Sequence, residues 1–241
     1  MRTRPGGRAR GYRPPRTATA RRSGTAAGRS TVGKSRGRAW LFAGLVLPFA
    51  LSSIAGAQPQ LPKLTVIGDS VADRMQRNPI ALAALNDGYR LNLQTRACRT
   101  LIEPGCTVAG QTVPPPSVLD VVNRFGKYLG KIVVIESGYN DVPTHYQQDL
   151  DTVVRALQNA HVKTVVWLTL HDPKGVYRGM NNIIRGAVKR WPQLVIADWN
   201  TYSASHPDWF QQDDGLGGIH PTPLGAANLG QFIHVAVEPN A

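Results

Sequence analysis

Acidic residues are missing from the first 57 positions of this chain, and cysteine is nearly missing from all of it. That stretch holds 12 of the 28 lysines and arginines and none of the 15 acids. The remainder has 16 basic residues against 15 acidic ones, a net charge of +1. The overall +13 therefore belongs to the leader. A body this close to neutral excludes the broad basic face with which proteins grip nucleic acid. The two cysteines, Cys98 and Cys106, have seven residues between them and no histidine close by. That matches no zinc-ligand spacing, so no metal and no other cofactor is expected. The longest apolar stretch is 40–57, and ~18 residues is at the short end of what crosses a bilayer.

The leader has two parts. Residues 1–39 are rich in Arg, Gly, Ser, Thr and Ala without apolar periodicity, a composition that favours disorder. Residues 40–57 are almost all apolar or small and end in Ala55-Gly56-Ala57. A basic region, an apolar region and a small-x-small site together read as a secretory signal cleaved before Gln58. An uncleaved N-terminal anchor is the alternative, though Pro48 and the small residues after Leu51 suit a signal better. The remaining 58–241 suffices for one domain with a sizeable core, expected to be monomeric and secreted or held in the cell envelope. An oxidising compartment favours a Cys98–Cys106 disulfide, with a reactive thiol as the alternative.

Within 58–241 short apolar runs alternate with helical patterns. Strands are expected at Lys63–Ile67, Tyr89–Gln94, Lys131–Glu136, Val162–Leu170 and Leu194–Ala197. Helices are expected at Ala72–Leu85, Val118–Leu129 (capped by Ser117), Tyr146–Ala160 and Met180–Trp191, with a last one capped by Thr222. Alternation of this kind implies right-handed crossovers and a five-stranded parallel sheet with helices on both faces, a three-layer α/β/α domain. In such sheets functional residues lie past the carboxyl ends of the strands. Ser70, Asn140, His171 and Asp198 all follow expected strand ends.

Three short blocks carry the chemistry. Gly68-Asp69-Ser70 ends the first strand, Gly138-Tyr139-Asn140-Asp141 follows the third, and His220-Pro221-Thr222-Pro223 precedes the last helix. A serine hydroxyl attacks only when a base takes its proton. A strand-to-helix turn also places a backbone N–H, and here the Asn140 amide, where an oxyanion would form. Each block alone is equally a capped turn. Among the six histidines, His171 and His206 are weaker candidates for the base, and His145, His161 and His234 fall in or beside helices.

Taken in order, Gly68-Asp69-Ser70-Val71, Gly138-Tyr139-Asn140-Asp141 and His220-Pro221-Thr222-Pro223-Leu224-Gly225 resemble the first, third and fifth blocks of the SGNH (GDSL-type) hydrolases, over roughly 63–236. The section from Asp198-Trp199 through His206-Pro207-Asp208-Trp209-Phe210 is similar to the SGNH domains associated with bacterial envelope acyltransferases. The resemblance implies a flavodoxin-like sheet and a metal-independent Ser-His-Asp esterase acting on a small-molecule, glycan or lipid ester. Ser70 is then nucleophile and first oxyanion donor, Asn140 a second oxyanion donor and His220 the base. An O-acyltransferase using the same site and a catalytically silent envelope binding module are the alternatives. Two positions depart from the pattern. Thr95-Arg96-Ala97-Cys98-Arg99 lacks the family's oxyanion glycine, which leaves the Cys98 N–H, or Gly105 or Gly110, to supply that donor. Gly217 stands where the family has its aspartate. Asp214-Gly215 followed by Leu216-Gly217-Gly218-Ile219-His220 resembles the family's Asp-Gly-Ile-His with three residues inserted, which implies Asp214 as the acid. Asp213 and Asp198 are its rivals.

Overall fold

The computed structural model describes residues 60–240. The basic leader (1–39), the apolar segment (40–57) and the cleavage point before Gln58 lie outside the described residues. The five strands are β1 (Lys63–Gly68), β2 (Arg90–Thr95), β3 (Ile132–Glu136), β4 (Thr164–Leu168) and β5 (Leu194–Ala197). They form one all-parallel sheet in the order β2-β1-β3-β4-β5. Every residue of β3 is buried, as is β1 from Leu64 to Gly68. Continuous burial requires cover on both faces, and the helices provide it.

The helices are α1 (Ser70–Asp73), α2 (Pro79–Asn86), α3 (Val118–Phe125), α4 (Tyr146–Asn159), α5 (Arg178–Gly186), α6 (Trp199–Ser203) and α7 (Pro223–Val237). α2 packs against α7, and α4 packs against both α3 and α5, so each face of the sheet has its own helix layer. The α2–α7 contact is tight enough to need Gly230, where a Cβ would fall 2.6 Å from the Ala81 Cα. The α/β/α architecture expected from the alternation is the one observed.

Some boundaries differ from expectation. The single helix expected over Ala72–Leu85 is instead α1, a 3₁₀ turn over Arg74–Arg77, and α2. Pro79 has no N–H to continue a helix and pushes the residue before it into extended backbone. Asn78 has that extended conformation, and its side chain caps Ile80 and Ala81. α3 stops at Phe125, and a 3₁₀ turn over Gly126–Leu129 finishes the expected segment. α5 runs from Arg178 to Gly186 rather than to Trp191, followed by a 3₁₀ turn over Ala187–Lys189. The sequence reading missed α6, which Asp198 caps through the Thr201 N–H. Cys98 and Cys106 are joined in a disulfide, a short loop closure worth about 2–3 kcal/mol by the chain-entropy model.

Register decides which loops meet. Gly68 pairs with Thr95 on one side and with Glu136 on the other. The turns after β2, β1 and β3 therefore emerge side by side, with the β1 turn in the middle. The strand order reverses between β1 and β3, the switch point where open parallel sheets leave a crevice. Gly68 is pinched there, since a Cβ would lie 2.3 Å from the Ala72 Cβ and 2.7 Å from the Glu136 carbonyl oxygen.

Candidate active site

Ser70 begins α1 immediately after β1. The turn that presents it is fixed by Asp69, which is fully buried. Asp69 Oδ1 accepts the Val71 N–H (3.0 Å), and its Oδ2 accepts those of Gly138 (3.2 Å) and Tyr139 (3.3 Å). One carboxylate thus ties the Ser70 turn to the Asn140 turn. Burial pushes Asp69 up to about 6, against the pull of those three N–H groups. Glu136, also fully buried, accepts the Ala72 N–H through Oε2 at 3.1 Å. Its own burial, then the neighbouring Asp69 charge, drives the Glu136 pKa well above the ordinary carboxylate value. The two adjacent buried acids therefore need not both be charged.

The Asn140 and Cys98 turns flank Ser70. Asn140 Nδ2 donates to the Arg99 carbonyl at 3.1 Å, and Asp141 Oδ1 accepts the Leu101 N–H at 2.8 Å. These two bonds lock the β3 turn to the cysteine-bearing loop. Arg99 is buried beneath that loop, donating from Nε to the Pro116 carbonyl (2.8 Å) and from its guanidinium to the Gln94 and Gly68 carbonyls. Cys98 has φ of 67°, the left-handed region. Cys98 is thus held in a backbone conformation that glycine would adopt freely. Gly105 presses on the other side of this segment, where a Cβ would clash with the Cys98 carbonyl oxygen at 1.8 Å. Gly105 and Gly110 lie outside the cavity lining.

His220 comes from the loop before α7. That loop is held by an antiparallel bridge between Phe210 and Pro221, and by the Gln211 N–H to the His220 carbonyl and the Thr222 N–H to the Trp209 carbonyl, both 2.8 Å. His220 Nε2 lies 2.9 Å from Ser70 Oγ, and its Nδ1 lies 3.1 Å from Asp214 Oδ2. The loop from Asp214 to His220 folds around the Asp214 carboxylate. Oδ1 accepts the Leu216 (2.8 Å) and Gly218 (2.9 Å) N–H groups, and Oδ2 those of Ile219 (2.9 Å) and His220 (3.0 Å). Gly217 and Gly218 both have positive φ, which lets the chain wrap so closely. Burial raises the Asp214 pKa, but the four backbone donors outweigh it and hold the carboxyl well below its ordinary range. Burial, then the Arg74 charge, lowers His220, with Asp214 opposing.

The rival residues are engaged elsewhere. Asp198 is bonded to Arg185, Thr169 and Thr201, and sits at about 2, because those bonds overcome its partial burial. Asp213 is exposed. His171 stacks on Phe210 and pairs through Nδ1 with Ser203 Oγ at 2.7 Å, while burial lowers it to about 4. His206 stacks on Trp209. Both rings serve the aromatic packing beneath the His220 loop. Sequence reasoning gave no role to Asp69, Asp141 or Arg99, which hold the turns together. Their signal was available: Asp69 and Asp141 each abut a site residue past a strand end.

A cavity of about 740 Å³ opens over these groups, lined by Ser70, Cys98, Cys106, Asn140 and His220, by Arg74 and Arg77 on one wall, and by Val108, Leu216 and Pro223 among its apolar residues. Removal of one preorganised amide donor costs about 100- to 1,000-fold in kcat in acyl-transfer sites. Asn140→Ala is therefore expected to lower kcat by at least ~100-fold while changing KM less. Steady-state kinetics on a 4-nitrophenyl ester checks this; a rise in KM alone would make Asn140 a substrate-positioning group.

No protein-family model matches this sequence, and no curated protein does. Solved structures do. Est24, a carbohydrate acetylesterase from Sinorhizobium meliloti, is 16% identical, with a TM-score of 0.51 over 75% of this chain and 100% of its own. A protein assigned as an arylesterase from Agrobacterium tumefaciens is 14% identical, with a TM-score of 0.52 over 74% of this chain and 99% of its own. A carbohydrate acetylesterase family member from Sinorhizobium meliloti is 9% identical, with a TM-score of 0.52 over 74% and 98%. The parallel five-stranded sheet, its strand order and these neighbours together give the chain the fold of the SGNH-type hydrolases.

Proposed function

We propose that this protein is a serine esterase that cleaves carboxylic esters through a Ser70 acyl-enzyme. The observation that carries the proposal is the unbroken Ser70–His220–Asp214 hydrogen-bond chain at the cavity where the Asn140 and Cys98 turns converge. Ser70 Oγ attacks the ester carbonyl carbon and gives its proton to His220 Nε2. Asp214 holds the Nδ1–H tautomer and stabilises the imidazolium that forms. The carbonyl oxygen becomes an oxyanion facing the Ser70 and Cys98 N–H groups and the Asn140 amide. One Asn140 hydrogen is committed to the Arg99 carbonyl; the second is the one that serves the oxyanion. Collapse expels the alcohol, which takes the proton from His220. Water then attacks the acyl-enzyme with His220 again as base, releasing the acid and restoring Ser70.

The fold shared with proteins described as carbohydrate acetylesterases and an arylesterase supports short-acyl sugar or aryl esters as substrates. The N-terminal signal pattern and the Cys98–Cys106 disulfide support action outside the cytoplasm, after cleavage near Gln58. Hydrolysis of 4-nitrophenyl acetate by the purified protein tests the activity directly, and no turnover above the uncatalysed rate would reject it.

The base also sets a pH dependence. His220 must be neutral to accept the Ser70 proton, so kcat/KM rises with pH as the imidazolium loses its proton. Because burial and Arg74 lower His220, the midpoint of that acidic limb is expected below the ordinary histidine value. Arg74→Gln removes a positive neighbour, which favours the charged imidazole, and so is expected to move the midpoint upward. A pH profile of kcat/KM on a neutral ester checks both; a downward shift in the variant would contradict the assignment.

A further inference from the structure

The cavity has a charged wall that the esterase reading does not use. Ser70, Arg74 and Arg77 are spaced i, i+4 and i+7 along one continuous turn, and all three line the cavity. The segment Arg74–Arg77 is a 3₁₀ turn. Side chains three residues apart eclipse in that geometry, which puts both guanidinium groups on the side that presents Ser70.

Both arginines are exposed, and neither makes a hydrogen bond, ion pair or ring contact to another side chain among the described residues. Several other described arginines are committed, although Arg96 and Arg178 also make no such contact. Arg185 is bound to Asp198, Arg190 to Asp151, and Arg99 to three carbonyls. Among the described residues the only carboxylate lining the cavity is Asp73, which accepts from Gln76 Nε2 and Thr95 Oγ1 instead. The part of the chain after the leader is nearly neutral overall, so two arginines without a carboxylate partner at one wall are a local feature, not an overflow of general basic charge.

Position gives the side of the ester they face. His220 Nε2 must hand its proton to the leaving alcohol, and the turn that carries the arginines is tied to the His220 loop, where Asn78 Nδ2 donates to the Pro223 carbonyl at 2.7 Å. The arginines therefore stand on the alcohol side of the scissile bond, with the Cys98 and Asn140 turns on the oxyanion side. A guanidinium offers a planar fork of donors that fits a carboxylate or a phosphate. We infer that Arg74 and Arg77 form an anion subsite, and that the substrate is an ester of an acidic alcohol, such as an O-acylated sugar bearing a carboxylate or a phosphate. This inference rests on the esterase reading above.

The test compares acetate release from three esters with the same acyl group: O-acetylglucose, O-acetylglucuronate and O-acetylglucose 6-phosphate, with 4-nitrophenyl acetate as a neutral reference. The expected result is a kcat/KM at least ~10-fold higher for one or both acidic sugars than for the neutral sugar. The carboxylate and phosphate arms show which anion the fork takes. Added salt should shrink the preference. In the Arg74→Gln/Arg77→Gln variant the ratio of acidic to neutral kcat/KM should fall towards one, whereas Lys189→Gln, remote from the cavity, should keep it. Cleavage of 4-nitrophenyl acetate without preference for either acidic sugar, or a preference that survives in the double variant, overturns the subsite. Failure to cleave any of the four, the neutral reference included, overturns the esterase reading itself.

Discussion

Ser70→Ala is expected to abolish ester turnover, with a fall in kcat approaching about a million-fold, the size seen when a triad serine is removed. The mechanism has no other route to an acyl-enzyme, and neutral His220 is left without the hydroxyl it would activate. What survives is the acceleration from oxyanion donors and binding, roughly 1,000- to 10,000-fold over water. The same substitution should leave the fold intact. The Ser70 hydroxyl faces the cavity, and its hydrogen-bond partner is His220 Nε2. The turn itself is held by Asp69, which bonds backbone groups on either side of the site. Thermal unfolding should therefore shift by no more than about 3 °C. Kinetics and a melting curve on the same preparation separate the two effects. Turnover like that of the wild type would remove Ser70 as nucleophile, and a large loss of Tm would make it a structural residue.

Asp214→Asn should produce the second large effect, up to ~10,000-fold in kcat, because a neutral amide cannot hold the Nδ1–H tautomer or stabilise the imidazolium. Unlike Ser70→Ala, it should also lower stability. Asp214 Oδ2 receives the Ile219 and His220 N–H groups besides the imidazole, and an amide NH₂ in that place would face three donors. Each buried donor left unpaired costs about 1–3 kcal/mol, so a Tm loss of several degrees is expected. The stabilisation from the carboxylate also has a predictable pH range. Because the folded-state pKa is depressed, the contribution is complete above the unfolded carboxylate pKa and fades as pH falls below it. The gap in stability between wild type and Asp214→Asn should therefore narrow on acidification. Asp213→Asn, which changes an exposed residue, serves as the comparison and should do little. Two near-silent variants would take this loop out of the reaction.

Much of this arrangement was legible in the sequence, for a physical reason. A parallel sheet covered on both faces needs continuous apolar strands, and these end abruptly where polar turn residues begin. Gly68-Asp69-Ser70 and Gly138-Tyr139-Asn140 both mark such ends, so pattern alone placed them on one edge of the sheet. Asp214 came into view because Asp214-Gly215 and Ile219-His220 resemble the family's Asp-Gly-Ile-His, and Gly217 and Gly218 allow the chain between them to bulge and return. The legible signals stop where local sequence stops deciding geometry. Helix periodicity ran straight through Arg74–Arg77 because the apolar face continues, while Pro79 and the Asn78 cap break the backbone. Cys98 gave no sign of its left-handed conformation, which sits among the disulfide, the close approach of Gly105 and the buried Arg99, contacts that residue type alone does not announce. The positions of Asp69 and Asp141 beside site residues were visible, but not what they link, because the partners that join the turns lie some 40 to 70 residues away.

The central claim is that Ser70 is an activated nucleophile, and covalent capture tests it most directly. The protein is incubated with a fluorophosphonate at neutral pH and digested, and the modified peptide is located by mass spectrometry. The account predicts one stoichiometric adduct on Ser70, prevented by Ser70→Ala and strongly slowed by His220→Ala. A protein that stays unlabelled while folded, or that carries its adduct on another residue, would contradict it.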